Sequence, residues 1–493
     1  MKKIEIQDDS IKNKEKRDAY YKVLDFINSD RCFSGIVEIL FGLQGTGKTT
    51  IMQQLVINNS DSISFMFVKP DGTDTMEDVY SFLDKAIEDN VKCVLIDDIT
   101  IVSDFIDNSA ELADIYAKQG LRIVLAGDDS LCFVYAEKSS LYDRTEHINT
   151  TYIPFAEYCR VLTTDSLDDY VCFGDLMKKN TSADSIENSR AVYDYVSARR
   201  YLDTAVAQNI SRSLEKLSHF ANRTALMNVS EKQMRRVIKK SVERYCGVKN
   251  QDAFNADTDM GHKFDDDMML SLENALISLG FLSATNKQVL LIDEFGYRTE
   301  PPTKEYYIIQ PAVKYHCLII ALGYVNEKEN NQRLSTSGKQ VVTDVIATQI
   351  KAEMTKQIGV YETLKALSSS RYMVTRLCFK STDNYLGGFD MLVYDKQQNC
   401  CWGFEIDYSA QASPLQYKNL ADQRLLDAVN YMYGEIKGLC VLYNGKPFKT
   451  DSGIAYLNLS DFLKHINDYK DFELFFAKNL DRAEQCKICT KQI

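Results

Sequence analysis

Proline is scarce in this chain, 7 residues among 493, and no Gly-, Ser- or Pro-rich stretch interrupts it. That excludes collagen-like, low-complexity and long structureless segments. No apolar run approaches the roughly 20 residues that a membrane-spanning helix needs. The opening Met1-Lys2-Lys3-Ile4-Glu5 lacks the apolar core of a secretory signal. A cytoplasmic protein without membrane contact is expected. Positive charge is also in deficit: 58 Lys and Arg face 70 Asp and Glu, a net charge of −12, which opposes a nucleic-acid footprint over the whole surface and leaves room only for a local patch. No disulfide framework is legible. The 13 cysteines are scattered, and Cys93, Cys317 and Cys378 fall in apolar strand-like runs where a thiol acts as a small hydrophobe in a reducing compartment. Cys486 and Cys489 form a lone C-x-x-C without a second pair or a histidine nearby, a weak zinc candidate.

What is present is an ordinary globular composition, 45% hydrophobic and 26% charged, in a chain long enough for two to four domains. One stretch organises it. Gly42-Leu43-Gln44-Gly45-Thr46-Gly47-Lys48-Thr49 fits G-x-x-x-x-G-K-[ST] at every constrained position. Glycines let successive backbone N–H groups turn inward around a phosphate, and the following helix aims its positive N-terminus at the same charge. Lys48 adds a cation for the outer phosphates, and Thr49, followed by Thr50, offers a hydroxyl to Mg²⁺. An apolar run over 36–41 predicts the preceding strand and 50–57 the following helix. ATP with Mg²⁺ is the expected ligand.

Downstream, strands are predicted at 62–68, 91–96, 121–126 and 148–153 and a helix at 76–90. The run over 91–96 ends in Asp97-Asp98. An apolar strand ending in acids downstream of such a loop places Asp97 on Mg²⁺. Asp98 stands where a glutamate usually activates water, one methylene shorter, which predicts slow hydrolysis. Gly127-Asp128-Asp129-Ser130 follows the fourth strand, at an end where ligands gather in open α/β sheets.

With Leu141-Tyr142-Asp143-Arg144 and Ile153-Pro154-Phe155-Ala156-Glu157-Tyr158 added to these motifs, the sequence resembles prokaryotic AAA-type (AAA+) ATPases that carry a restriction-endonuclease-like C-terminal domain. The resemblance extends to Gln310-Pro311 and to 386–409, so it covers nearly the whole chain. It implies an α/β fold: a P-loop AAA-type ATPase core over 1–160, a helical lid over 161–225 with helices at 185–202 and 205–220, a winged-helix-like segment over 226–330, and an α/β restriction-endonuclease-like domain over 331–493. It also implies that Arg144 stands where an arginine finger would, and Asp129 or Ser130 where a polar sensor would; ring or other homo-oligomeric assembly is part of the same analogy.

The winged-helix-like segment is expected to hold a helix at 231–245 with Lys232, Arg235, Arg236, Lys239, Lys240 and Arg244, a local basic face for nucleic acid. Its next helix, 265–279, has no Lys or Arg. A strand pair is expected at 289–293 and 306–309, and two helices at 340–351 and 355–367. In the C-terminal part, strands at 372–380, 389–394 and 402–406 carry Asp390 and Glu405, which look like the metal-chelating carboxylates of a D…(D/E)-x-K nuclease core. The lysine of that pattern is replaced by Asp407, expected on the same strand face as Glu405, and Gly388 stands where an acid is usual. Lost or altered cleavage is therefore expected, with Lys380 or Lys418 as the lysines that an active site would borrow. Glu362 is expected to be a solvated helix residue. Three functions follow: an ATP-hydrolysing switch or motor with recognition domains, an ATP-gated DNA nuclease, or a module that holds ATP without turnover.

Overall fold

The computed structural model describes residues 1–6, 11–174, 206, 208–209, 266–315, 335–381 and 384–490. The lid helix expected at 185–202, nearly all of that at 205–220 and the basic helix at 231–245 lie outside the described residues. No helix among the described residues is long and apolar enough to cross a membrane, and the nine cysteines whose side chains are described are free thiols.

The first half is a sheet with helices on both faces. Strand β1 (Lys2–Lys3) is a short antiparallel edge, and helix α1 (Asp18–Asn28) follows. Then come β2 (Val37–Phe41), α2 (Lys48–Asn59), β3 (Phe65–Lys69), α3 (Met76–Glu88), β4 (Cys93–Ile96), β5 (Arg122–Gly127), α4 (Ser130–Lys138) and β6 (Thr145–Asn149). The central strands are unbroken apolar runs because both faces are covered: Val37, Ile39, Val94 and Ile96 enter one core, Leu40, Leu95 and Val124 the other. Strand order is β1-β3-β4-β5-β2-β6, with β2 between β5 and β6 and parallel to both. The loop after β2 therefore opens at the carboxyl edge, beside the ends of β4 and β5, where ligands of such sheets bind.

Strand β6 starts three residues before the expected 148–153. The apolar residues that suggested that range serve different cores: Ile148 packs in the first half, Ile153 in the second. From Ile153 onward the chain has left the first sheet. Helices α5 (Phe155–Leu162) and α6 (Leu167–Phe173) bury Phe155, Tyr158, Leu167 and Tyr170 against residues of the C-terminal half.

That half is a second sheet. Helix α7 (Asp266–Ser278) leads to β7 (Leu282–Asp293), β8 (Gly296–Thr299) and β9 (Thr303–Ile308); after helix α8 (Thr336–Ala366) come β10 (Tyr372–Ser381), β11 (Asn384–Asp395), β12 (Cys400–Ile406), α9 (Gln423–Tyr433), β13 (Glu435–Tyr443), β14 (Phe448–Lys449), β15 (Ala455–Asn458), α10 (Leu459–His465) and α11 (Phe472–Thr490). The strand order is β14-β15-β13-β12-β11-β10-β7-β8, with β9 also on β7. Strand β7 pairs in parallel with β10, Leu377 opposite Gln288, so the boundary expected at 330 runs across one sheet. The polar alternation of its first half, Ser283-Ala284-Thr285-Asn286-Lys287, hid a strand far longer than the expected 289–293. Likewise α8 is one helix of 31 residues where two were expected, since no Pro or capping signal divides it. Cys486 and Cys489 belong to α11.

Helices α8, α10 and α11 cover one face of the second sheet and α9 the other. Glu362 joins the two halves. It is buried, not solvated, and its Oε1 accepts from the Phe155 amide at 2.9 Å and the Tyr170 hydroxyl at 3.0 Å. Burial raises its pKa from 4.5 to about 7, so the native state holds a proton that the unfolded chain releases above its ordinary pKa. That stabilisation is complete below about pH 4.5 and disappears as pH rises through 7. Glu362→Gln should therefore melt near the wild-type temperature at pH 5 and be more stable at pH 8, by on the order of 2 kcal/mol, in parallel thermal or urea unfolding.

Candidate nucleotide-binding site

The loop after β2 is held from behind. Gly42 has φ 155°, and a Cβ there would lie 2.3 Å from Thr150 Oγ1 and 2.8 Å from the Thr151 amide nitrogen, so no side chain fits. Thr151 Oγ1 accepts from the Leu43 amide at 3.1 Å, and Thr46 Oγ1 lies 2.8 Å from both the Leu43 carbonyl and Thr150 Oγ1. Gly47 is the N-cap of α2, whose first amides face the same concavity. Lys48 is buried, its ammonium donating to the Gly42 and Leu43 carbonyls at 2.6 and 3.0 Å. Burial pushes its pKa down, with Asp128, Asp98 and Asp97 acting against that shift. Gln44, Gly45, Gly47, Lys48, Thr49 and Thr50 line a cleft of about 480 Å³ whose opposite side holds Lys69, Asp98, Ile101 and Asp128.

Thr49 and Asp97, 48 positions apart, meet here: the Thr49 hydroxyl donates to Asp97 Oδ2 at 2.8 Å. Asp97 is fully buried at the end of β4, and its Oδ1 has no hydrogen-bond partner among the described residues. Burial, then the charge of Asp98, raises its pKa. A hydroxyl and a buried carboxylate with an orphan oxygen are hard oxygen donors of the kind Mg²⁺ takes, so these residues fit that ion. Asp98 sits at φ 55°, ψ 36°, a left-handed conformation that Asp tolerates better than most residues. Lys69, at the end of β3, donates to Asp98 and lies 3.7 Å from Asp97 Oδ2.

Two other expected residues sit elsewhere. Asp129 is buried, and its carboxylate caps α4 by accepting from the Cys132 amide at 3.1 Å; the acid facing the cleft is its neighbour, Asp128. Arg144 precedes β6 and pairs with Asp114 of the same chain. Its carbonyl accepts from the Val37 amide, which puts it at the opposite end of β2 from the loop, roughly 16 Å away along five strand residues. Lys69 and Arg17 are site neighbours that the motifs missed, and Asp128 was legible only as part of Gly127-Asp128-Asp129-Ser130. Of the two missed, Lys69 alone left a signal, as the first charge after an apolar strand. Arg17, on the far side of the loop, contacts the Thr46 carbonyl.

Asp390 and Glu405 lie side by side in the second sheet. Pairing of β10 with β11 steps from Thr375–Leu392 to Leu377–Phe389, a bulge that sets two residues, Asp390 and Met391, against one and re-aims Asp390. Its carboxylate accepts from the Ile406 amide at 2.9 Å and from Lys356 of α8 at 2.9 and 3.0 Å. Glu405 accepts from Asn419 at 2.9 Å, and burial, with Asp390 beside it, raises its pKa well above the ordinary range. Burial works against the charge of Lys356, yet Asp390 and Glu405 hold its pKa above normal. Asp407 lies past the end of β12 and accepts from the Ser409 amide at 2.6 Å, so it caps its own turn. Lys380 pairs with Glu300 at 3.3 Å, and Lys418 is exposed. A Cβ on Gly388 would come within 2.8 Å of the Leu377 carbonyl, so an acid there has no room. No group of three or more metal-ligating side chains occurs among the described residues.

Residues 35–159 match the family model described as an AAA domain. The matched stretch spans β2 through β6 and most of α5, with the loop, Asp97 and Asp98 inside it. No curated protein matches the chain. Among solved structures, AMPPCP-bound DnaA from Aquifex aeolicus is 11% identical over 53% of this chain and 85% of its own, with a TM-score of 0.22. Cdc6p from Pyrobaculum aerophilum is 12% identical over 64% and 98%, TM-score 0.24, and PCH-2 from C. elegans 14% over 48% and 73%, TM-score 0.26. At such scores the chains do not superpose as wholes.

The division of labour between Asp128 and Asp129 is testable by stability. Asp129→Ala removes the α4 cap and should cost about 1 kcal/mol, whereas the cost of Asp128→Ala, which removes a charge that offsets the burial of the Lys48 ammonium, should fall as pH rises and Lys48 loses its proton, both read from urea midpoints.

Proposed function

We propose that the AAA-like segment binds ATP with Mg²⁺ and hydrolyses it slowly, as a switch or motor acting on the rest of the chain. The observation that carries this reading is the meeting of Lys48, Thr49 and Asp97 at one sheet edge, with an orphan oxygen on Asp97. Lys48 and the amides of 42–50 would hold the phosphates, and Thr49 and Asp97 the metal, which supplies charge neutralisation when bound. Asp98 is the candidate for orienting water, and its ion pair with Lys69 must loosen before it does so. Asp129 caps α4. Arg144, remote from its own cleft, would serve a neighbouring copy, and the basic residues of 231–245 would contact nucleic acid. Lys48→Ala should abolish nucleotide binding in calorimetry, with melting temperature and far-UV spectrum recorded alongside to separate loss of binding from loss of fold. Arg144→Ala should keep binding and lower phosphate release, which in wild type should rise per molecule with protein concentration. Unchanged affinity in a folded Lys48→Ala variant overturns the assignment.

A second reading is favoured by one observation, the ammonium of Lys356 on Asp390. The sequence pattern lacks a cation beside the acid pair, and α8 supplies one. On this reading Asp390 and Glu405 bind a divalent ion, Lys356 stabilises charge on a phosphodiester, and the AAA-like segment controls access. Wild type with Mg²⁺ or Mn²⁺ would then cut DNA, and Asp390→Ala and Lys356→Met would each lose about a hundredfold or more. No metal-dependent cutting by wild type on linear, supercoiled or single-stranded DNA, with and without ATP, leaves the pair a structural one.

A further inference from the structure

Arg17 is the N-cap residue of α1, carries no motif, and is almost fully buried. Its guanidinium makes four hydrogen bonds to described residues, three behind the phosphate loop and one on it. Nε donates to Glu157 Oε1 at 2.6 Å, Nη1 to the Thr46 carbonyl at 2.5 Å and the Thr150 carbonyl at 3.0 Å, and Nη2 to the Tyr152 carbonyl at 3.3 Å. Glu157 is itself fixed, since its Oε1 also accepts from the Asp18 amide at 3.1 Å, at the start of α1.

Only one of these contacts reaches the loop, and the peptide it grips matters. Thr46 is followed by Gly47 at φ 92°, and a glycine leaves the plane of the preceding peptide free to rotate at little cost. In a trans peptide the carbonyl and the N–H leave opposite edges of one plane. Anchoring the Thr46 carbonyl outward, on Arg17, therefore turns the Gly47 N–H inward, toward the concavity where Lys48 sits. Nothing else described holds this carbonyl: the other contacts of Thr46 go through its hydroxyl. Arg17 is also close enough to act on the Lys48 charge.

Resting on the nucleotide-binding reading above, we propose that Arg17 is a positioning residue for the phosphate cradle, fixing the Thr46–Gly47 peptide so that one of its amides is set for an anionic ligand before that ligand arrives. An arginine is needed because a planar fork with five donors can hold a carboxylate on one edge and carbonyls on the other; a lysine reaches one cluster at a time. The anchor also ties the loop to α5, through Glu157, and so to the second half of the molecule.

The test uses the full-length protein and a non-hydrolysable ATP analogue with Mg²⁺, titrated calorimetrically, with thermal melts alongside. Arg17→Lys keeps the charge opposite Glu157 and should bind roughly ten- to thirtyfold more weakly, the worth of one charge-assisted hydrogen bond. Should that variant fail to fold, the double variant Arg17→Gln with Glu157→Gln leaves no lone buried charge and should show the same loss. A merely structural role would lower the melting temperature and leave the affinity of the folded protein unchanged, and that result overturns the proposal. Wild type that binds, Lys48→Ala that does not, and Arg17 variants that bind normally would sink this inference alone. Wild type that fails to bind at all would remove the nucleotide reading beneath it.

Discussion

The ammonium of Lys48 is a full charge placed where water barely reaches, and much of the first half is arranged to make that tolerable. Two loop carbonyls replace its hydration shell, which is possible only because the loop folds back on itself at Gly42. Around it stand Asp97, Asp98 and Asp128, and Lys69 answers two of those in turn. Buried charge of this density is costly unless partners close the account on every side. Among the described residues, the Asp97 oxygen without a partner is the place where they do not.

The two halves are not beads on a string. Helices α5 and α6 fall inside the sequence of the first half or its margin, yet their buried residues share one core with α8 and the second sheet. Domain boundaries drawn from composition assume that sequence neighbours pack together, and here Ile153, Phe155, Tyr158 and Tyr170 pack across almost two hundred positions. The long crossing is closed by the Phe155 amide on Glu362, a backbone donor that would otherwise be an orphan at the start of a helix.

What could be read from sequence was what is local. The phosphate loop is eight contiguous residues with fixed types, and Asp97 follows a contiguous apolar run, so both were legible. Asp128 and Asp129 were legible as a pair but not by role, because which carboxylate caps a helix and which faces a cleft depends on where the helix starts. Arg17, Lys69 and Lys356 make their decisive contacts across 29 to 140 positions, and no periodicity carries that information. Asp390 was found by type, but the bulge that aims it breaks the period of two on which face assignments rest. Asp407 failed for the complementary reason: two residues beyond Glu405, it has already left the strand.

Helix α8 has no interruption over 31 residues, and it carries Glu362 at the seam between the halves and Lys356 at the acid pair. Six residues separate them, about 9 Å of axial rise. The C-terminal part of α8, from Met354 to Leu364, packs on the second sheet, so one short rigid stretch holds both the carboxyl at the seam and the ammonium on Asp390. The seam and the acid pair are thus set by the register of one helix, and a one-residue slip of α8 would displace both at once.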